Sequence, residues 1–248
     1  GSNELAEAIR KMRMEFGSLS GPTNKAISEN AKTMKGFSET GLSTFQVFGN
    51  LAAKLEYMIE VAKSMGAAFS LVNDEFQKNG GALLAYQKGL GISSEELRGF
   101  ANLAVVSGAK MSDIMKDTTK YTYELGDAFK LDAKLISKDM SKALNDVRHF
   151  AGASTKEIAE ASVYARKLGL ELEKITGTLD AFETFDSAAE NAAKLSQSFG
   201  VVVDSFKLME AQNPAEQVDA LRKAFTAAGK SAENMSRQEL KLLSQTTG

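Results

Sequence analysis

Nine residues, Phe45, Phe48, Ala52, Leu55, Ile59, Ala62, Gly66, Phe69 and Phe76, follow one another in steps of three and four, interrupted only by Asn73 where the next member falls. That alternation keeps one stripe of an α-helix facing one way, whereas a strand turns its side chains over at every second residue. A second column, Leu51, Met58, Met65 and Val72, recurs every seven residues beside the first. The apolar face is therefore wider than a two-stranded coiled coil needs, and such a helix requires at least two neighbours. The spacing predicts one helix over residues 42–78, roughly 55 Å long at 1.5 Å per residue, stopped by Asn79-Gly80-Gly81. Two uses are open to it. It is either a buried bundle helix or a self-association seam, with Phe45, Phe48, Leu55, Ile59, Phe69 and Phe76 as the interaction residues.

The rest of the chain agrees with a helical reading. Two prolines among 248 residues leave few turn-formers for a sheet, and β-branched runs are missing. An all-α multi-helix bundle with helix-turn-helix modules and no substantial sheet is the expected fold. Hydrophobic residues at 43% and charged residues at 25% are ordinary for a globular chain. With 30 basic against 32 acidic side chains there is no electrostatic footprint for specific nucleic-acid recognition. The longest uncharged run tested as a span, residues 64–73, is half of the roughly 20 residues a membrane helix needs. The opening Gly1-Ser2 reads as a cleavage scar, and the chain as a cut-out from something longer.

Four segments are expected: short helices over 1–40, the heptad-patterned helix over 41–80, a repeat-bearing module over 81–180, and a C-terminal helical module over 181–248. In the first, Leu5, Ile9, Met12 and Phe16 form a helical stripe, and Thr23 or Asn24 caps a second helix. In the third, Gly91-Ile92-Ser93-Ser94-Glu95-Glu96-Leu97 is followed by Gly108 and Ile114, and Gly152-Ala153-Ser154-Thr155-Lys156-Glu157-Ile158 by Gly169 and Ile175. Every matched pair is 61 residues apart. Ser93 with Glu96, and Ser154 with Glu157, have capping-box spacing, and Gly108 and Gly169 fall where a left-handed residue ends the helix. Between the copies, 111–125 and 131–150 read as two helices parted near Gly126-Asp127, and one helix is expected over 171–195. The run Phe199-Gly200-Val201-Val202-Val203-Asp204 is the single β-like stretch, too short to found a sheet, and reads as an extended connector. Asn213-Pro214 starts a further helix, and Ser236 with Glu239 forms a last box.

No constellation calls for catalysis. The chain has no Cys and a single His, which removes thiol chemistry and Cys/His zinc sites; His149, late in an expected helix, reads as structural. Glu183 and Asp186, in an acidic aromatic stretch, are the best carboxylate pair for glycosidase-type work, but helical spacing makes them solvated beside inward Phe182 and Phe185. Gly89-Leu90-Gly91 lacks the rest of a dinucleotide fingerprint. Met58, Met65, Met111 and Met140 fall on apolar faces and read as core. No enzyme activity, cofactor or metal is expected.

Leu179-Asp180-Ala181-Phe182-Glu183-Thr184-Phe185-Asp186-Ser187-Ala188-Ala189-Glu190, Leu195-Ser196-Gln197-Ser198-Phe199-Gly200, Asn213-Pro214-Ala215-Glu216 and Asn234-Met235-Ser236-Arg237-Gln238-Glu239-Leu240-Lys241-Leu242-Leu243 together resemble a segment of the tail tape-measure and related virion structural proteins of tailed bacteriophages. The stretch from Gly152 to Gly169 is similar to helical modules of the same proteins, and the likeness covers residues 91–248. The resemblance implies a helical virion protein of the phage tail, made in the bacterial host cytoplasm, that takes part in tail assembly and length determination and contacts other tail proteins. A baseplate or internal virion protein ejected with the genome is the nearest alternative; a bacterial helical effector or translocator binding a host protein belongs to a different class.

Overall fold

The computed structural model describes residues 51–180 and 185–246. Among them every regular element is helical and no strand occurs. The chain divides into two compact units, Gly1–Lys116 and Asp117–Gly248.

The described part of the first unit holds α1 (Leu51–Met65), a 3-10 turn (Gly66–Ala68), α2 (Phe69–Leu90) and α3 (Leu97–Ser107). α1 packs on α2 and α3, and α2 on α3. The single helix expected over 42–78 is thus broken at Gly66, whose φ of +60° is open to glycine at little cost. The expected stop at Asn79-Gly80-Gly81 is also passed through. Asn79 leaves helical geometry (φ −119°, ψ 17°), yet α2 continues to Leu90. Phe76 and Leu83, seven residues apart on either side of the weak point, are both fully buried, and tertiary packing of that face outweighs local propensity. The stop falls instead at left-handed Gly91. One polar chain stitches the unit: the Tyr57 hydroxyl donates to Gln87 Oε1 (2.7 Å), Gln87 Nε2 to Ser94 Oγ (3.3 Å), and the Ser94 hydroxyl to Glu60 Oε1 (2.7 Å). Burial first, and then the neighbouring Glu60, push the Tyr57 hydroxyl above its ordinary pKa, so it stays a neutral donor.

The division between units falls inside α4 (Met111–Phe129). The second unit then runs α5 (Ala133–Ala143), a 3-10 turn (Val147–Phe150), α6 (Thr155–Lys167), α7 (Leu172–Asp180), α8 (Phe185–Phe199), α9 (Ser205–Glu210), α10 (Pro214–Ala227) and α11 (Arg237–Thr246). α6 packs chiefly on α10 and also on α5, and α7 bridges those three. The parting expected at Gly126-Asp127 lies a turn later. Lys130 takes a left-handed φ of 58°, and the Asp132 carboxylate accepts the Lys134 N–H at 2.9 Å to start α5. The helix expected to reach Phe150 ends at Ala143, its remainder tightening into the 3-10 turn. The connector expected over 199–204 begins later: Phe199 closes α8, left-handed Gly200 follows it, and residues 201–204 carry no regular secondary structure.

The 61-residue repeat is visible in three dimensions. Gly91 and Gly152, and Gly108 and Gly169, are all left-handed. Ser93 N–H donates to Glu96 Oε2 (2.6 Å) while Glu96 N–H returns to Ser93 Oγ (3.2 Å), and Ser154 with Glu157 repeats this at 2.7 and 3.2 Å. Leu97 and Ile158, then Met111 and Leu172, are buried at matching places. In both copies the helix after the second glycine begins at that last pair. A third, partial occurrence sits at Gly229-Lys230-Ser231-Ala232-Glu233-Asn234-Met235: Gly229 is left-handed, Ser231 N–H donates to Asn234 Oδ1 at 2.6 Å, and Met235 is buried. Ser154→Ala leaves the Glu157 N–H without its acceptor, and is expected to cost about 1 kcal/mol, read as a lowered midpoint in urea unfolding; Ser154→Thr should restore most of it.

The last helix is held from outside. Lys230 pairs with Glu239, and Glu239 Oε2 accepts the Ser236 N–H at 2.8 Å. The Lys230 ammonium, then the Ser236 N–H, hold the Glu239 carboxyl down at about 2, against an ordinary 4.5. A carboxyl depressed in the fold stabilises above its unfolded pKa and loses that contribution as pH falls through the interval. The protection factors of the α11 amides, exchange rates corrected for their intrinsic pH dependence, are therefore expected to fall between pH 4.5 and 2, and Glu239→Gln should remove that fall.

Candidate interaction surface

Of the six residues marked for interaction, Phe45 and Phe48 lie outside the described residues, as do the expected helices over 1–40. Leu55 lies in α1. Ile59, Phe69 and Phe76 are buried at 6%, 1% and 0% exposure. The Phe76 ring stands 5.5 Å from that of Phe69 and 6.1 Å from that of Tyr57. These three are engaged in internal packing of the first unit, which corrects their assignment to a seam: the wide apolar face finds its neighbours within its own chain. Met58, Met65, Met111 and Met140 are likewise core.

Two charged clusters bind the second unit together. The Asp139 carboxylate on α5, 1% exposed, takes a two-pronged contact from the Arg166 guanidinium on α6, with Nη2 to Oδ1 at 2.5 Å. Glu171 lies 3.6 Å from Arg166 and accepts from Lys142 at 3.1 Å. Burial pushes the Asp139 carboxyl up while the Arg166 hydrogen bonds oppose it. His149, on the 3-10 turn rather than in a helix, sets Nδ1 2.9 Å from Asp180 Oδ1 at the end of α7, with the Phe150 ring edge-on. Its other nitrogen is 3.9 Å from Asp146, whose carboxyl the Arg148 guanidinium holds well below the ordinary range. Each of these groups is engaged with a neighbour on another element or turn of the second unit. Glu183 lies outside the described residues, and Asp186 is exposed on the first turn of α8. Among the described residues no group of three or more His, Asp or Glu is placed to hold a metal ion, and no helix is long and apolar enough to cross a membrane.

The surface that stands out is one the sequence reading passed over. α9 is six residues long and apolar on two sides. Leu208 faces the core, while Phe206 and Met209 are exposed, and Val202 in the preceding connector is 83% exposed. Beside them runs a groove of about 480 Å3. Val202, Val203, Asp204, Lys207 and Leu208 line one wall, and Glu216, Asp219, Ala220, Lys223 and Ala224 of α10 line the other. The second set is spaced as one helix face; the opposite face, Val218, Leu221 and Phe225, is buried. Asn213 Oδ1 accepts the Glu216 N–H at 3.0 Å and fixes the start of α10, and the Asp204 carboxylate caps α9. The groove is thus framed by two capped helix starts. No protein-family model, curated protein or solved structure matches the chain.

Proposed function

We propose that the chain is a structural module of a tailed-phage virion protein of the tape-measure kind, acting in tail assembly and length determination through helix packing and self-association rather than catalysis. The observation that carries the reading is the repeated unit of box, helix, left-handed glycine and helix, found at the same residues that resemble modules of those proteins. Units joined in series give length by addition, which suits a protein whose extent sets a distance. The all-helical build and the ties that occupy His149, Asp139 and Arg166 agree with a packing role. In this reading the protein resides in the tail after synthesis in the host cytoplasm, and its partners are other tail proteins and further copies of itself.

The test is made in the phage that carries the gene. An in-frame duplication of residues 91–151 adds one repeat, and tails are then measured by electron microscopy. An added helical run lengthens the tail by up to about 90 Å at 1.5 Å per residue. Unchanged tails with the protein present in purified particles would point to a baseplate or ejected internal protein. Its absence from purified particles would overturn the virion reading altogether.

A further inference from the structure

We infer that residues 201–204 are a docking strand, whose edge carrying Val202 and Asp204 joins the open edge of a β-sheet in another protein through main-chain hydrogen bonds. The inference goes beyond the virion reading and stands whether or not that reading holds.

The β-like stretch has no use inside its own fold. Among the described residues every regular element is helical, and a link between helices is ordinarily built from Gly, Pro, Asn, Asp and Ser. Here it is Val201-Val202-Val203-Asp204, with three β-branched side chains that favour a pleated surface. Their exposure alternates with the period of a strand: Val201 is fully buried, Val202 is 83% exposed, Val203 is half-buried and Asp204 is exposed. The Asp204 backbone is itself extended, at φ −82° and ψ 98°.

The backbone groups then select the occupant. Every N–H and C=O is an obligatory hydrogen-bonding group, and among the described residues neither group of Val202 or Val203 is bonded to the chain, nor is the Asp204 N–H. The Asp204 C=O is taken by the Leu208 N–H at 3.3 Å, and its carboxylate by the Lys207 N–H at 3.3 Å. In extended backbone, residues two apart turn their polar groups to the same edge. Val202 N–H, Val202 C=O and Asp204 N–H thus form one donor–acceptor–donor edge on two exposed residues, while the opposite edge begins at buried Val201. A strand carries the matching series; a helix has spent its backbone groups on itself. A second copy brings only the same few residues, and an isolated two-stranded ladder is marginal in water. A sheet that already exists supplies the further strand and an apolar face for Val202. Nothing bars its approach in the run itself, since residues 199–204 contain neither the Lys nor the Pro that blunts an edge.

The test uses a cyclic two-stranded β-hairpin peptide with Thr-Val-Thr-Val on its open edge and N-methyl groups blocking the other. Titrated into the isotope-labelled full chain, it is expected to bind with a dissociation constant of about 0.1–1 mM, the strength of a few main-chain bonds and one packed Val. Solvent exchange should slow at the Val202 and Asp204 amides and stay unchanged at Val201 and Val203. Val202→Pro removes a ladder N–H and should weaken binding at least about 10-fold. Val202→Thr keeps both backbone groups and the strand preference, and should stay within about 3-fold; circular dichroism verifies that both variants stay folded. No binding at about 5 mM hairpin, well above the expected constant, overturns the inference. Equal binding by a hairpin N-methylated on both edges also overturns it, because side chains alone would then make the contact. A mass above 26.6 kDa for the chain by itself, abolished by Val202→Pro, would make a second copy the occupant and overturn it too. None of these results bears on the tail-length experiment, whose failure leaves the docking strand standing.

Discussion

Arg166→Met is expected to destabilise the second unit by about 3–5 kcal/mol, the range found when one member of a buried ion pair is removed. The reason is what remains. Asp139 is 1% exposed, and the Arg166 guanidinium meets both of its carboxylate oxygens. Lys142, the other nearby cation, is bonded to Glu171. Burial already pushes the Asp139 carboxyl up, and the main opposing influence is the Arg166 guanidinium, with Lys142 a lesser one. Without it the carboxylate keeps its desolvation cost and loses its main compensation. The variant should therefore take up a proton at Asp139, and its deficit should shrink as pH is lowered from 8 to 5, because a carboxyl whose folded pKa is raised favours the fold at low pH. The double variant Asp139→Leu/Arg166→Met removes both charges and should recover most of the loss. Urea unfolding followed by circular dichroism gives the energies, and hydrogen exchange in α5 and α6 assigns them to the second unit. A loss below about 1 kcal/mol for Arg166→Met would mean that the pair is no better than a surface contact.

What the sequence disclosed follows from how local each signal is. Caps and left-handed glycines act over four to six residues, and most of these were legible: Ser93, Ser154, Asn213 and Ser236 all accept the N–H that their spacing implies, although the Ser93 box forms a turn ahead of α3, which starts only at Leu97, and the stop expected at Asn79-Gly80-Gly81 is overridden. The apolar stripe also marked the buried face of α1 and α2 correctly. Its continuity misled, because a heptad column records which side is apolar and is blind to whether the backbone turns at Gly66. The same column drew the interaction site to Phe69 and Phe76, since a face wide enough for two neighbours looks alike whether they come from this chain or another. The surface at Val202, Phe206 and Met209 was missed for the converse reason. In a six-residue helix there is no period to read, and a Val-rich run before it looks like a connector; the exposure of those side chains is set by how α9 lies on α10, a long-range fact. The third glycine-box occurrence at Gly229 escaped because Asn234 stands where the other copies have Glu, although its side chain accepts the same N–H.

Phe76→Ala separates the two uses of the heptad face most sharply. In the structure the ring is fully buried, 5.5 Å from Phe69 and 6.1 Å from Tyr57. Truncating it removes a transferred aromatic surface and leaves a cavity that its neighbours close only in part, which together cost about 3–5 kcal/mol. The neighbours have little freedom to follow. Tyr57 is tied to Gln87 through its hydroxyl, so its ring cannot swing into the space without breaking a buried hydrogen bond, and α2 is already off helical geometry at Asn79, one turn on. The expected result is a large loss of stability in the first unit with the chain's self-association unchanged. Leu71, on the same helix but 65% exposed, supplies the contrast: Leu71→Ala should fall within about 0.5 kcal/mol of the parent. A helix face that served a second chain would give the opposite pattern, a shifted association constant with stability of the isolated chain nearly untouched, because an exposed ring contributes little until its partner arrives.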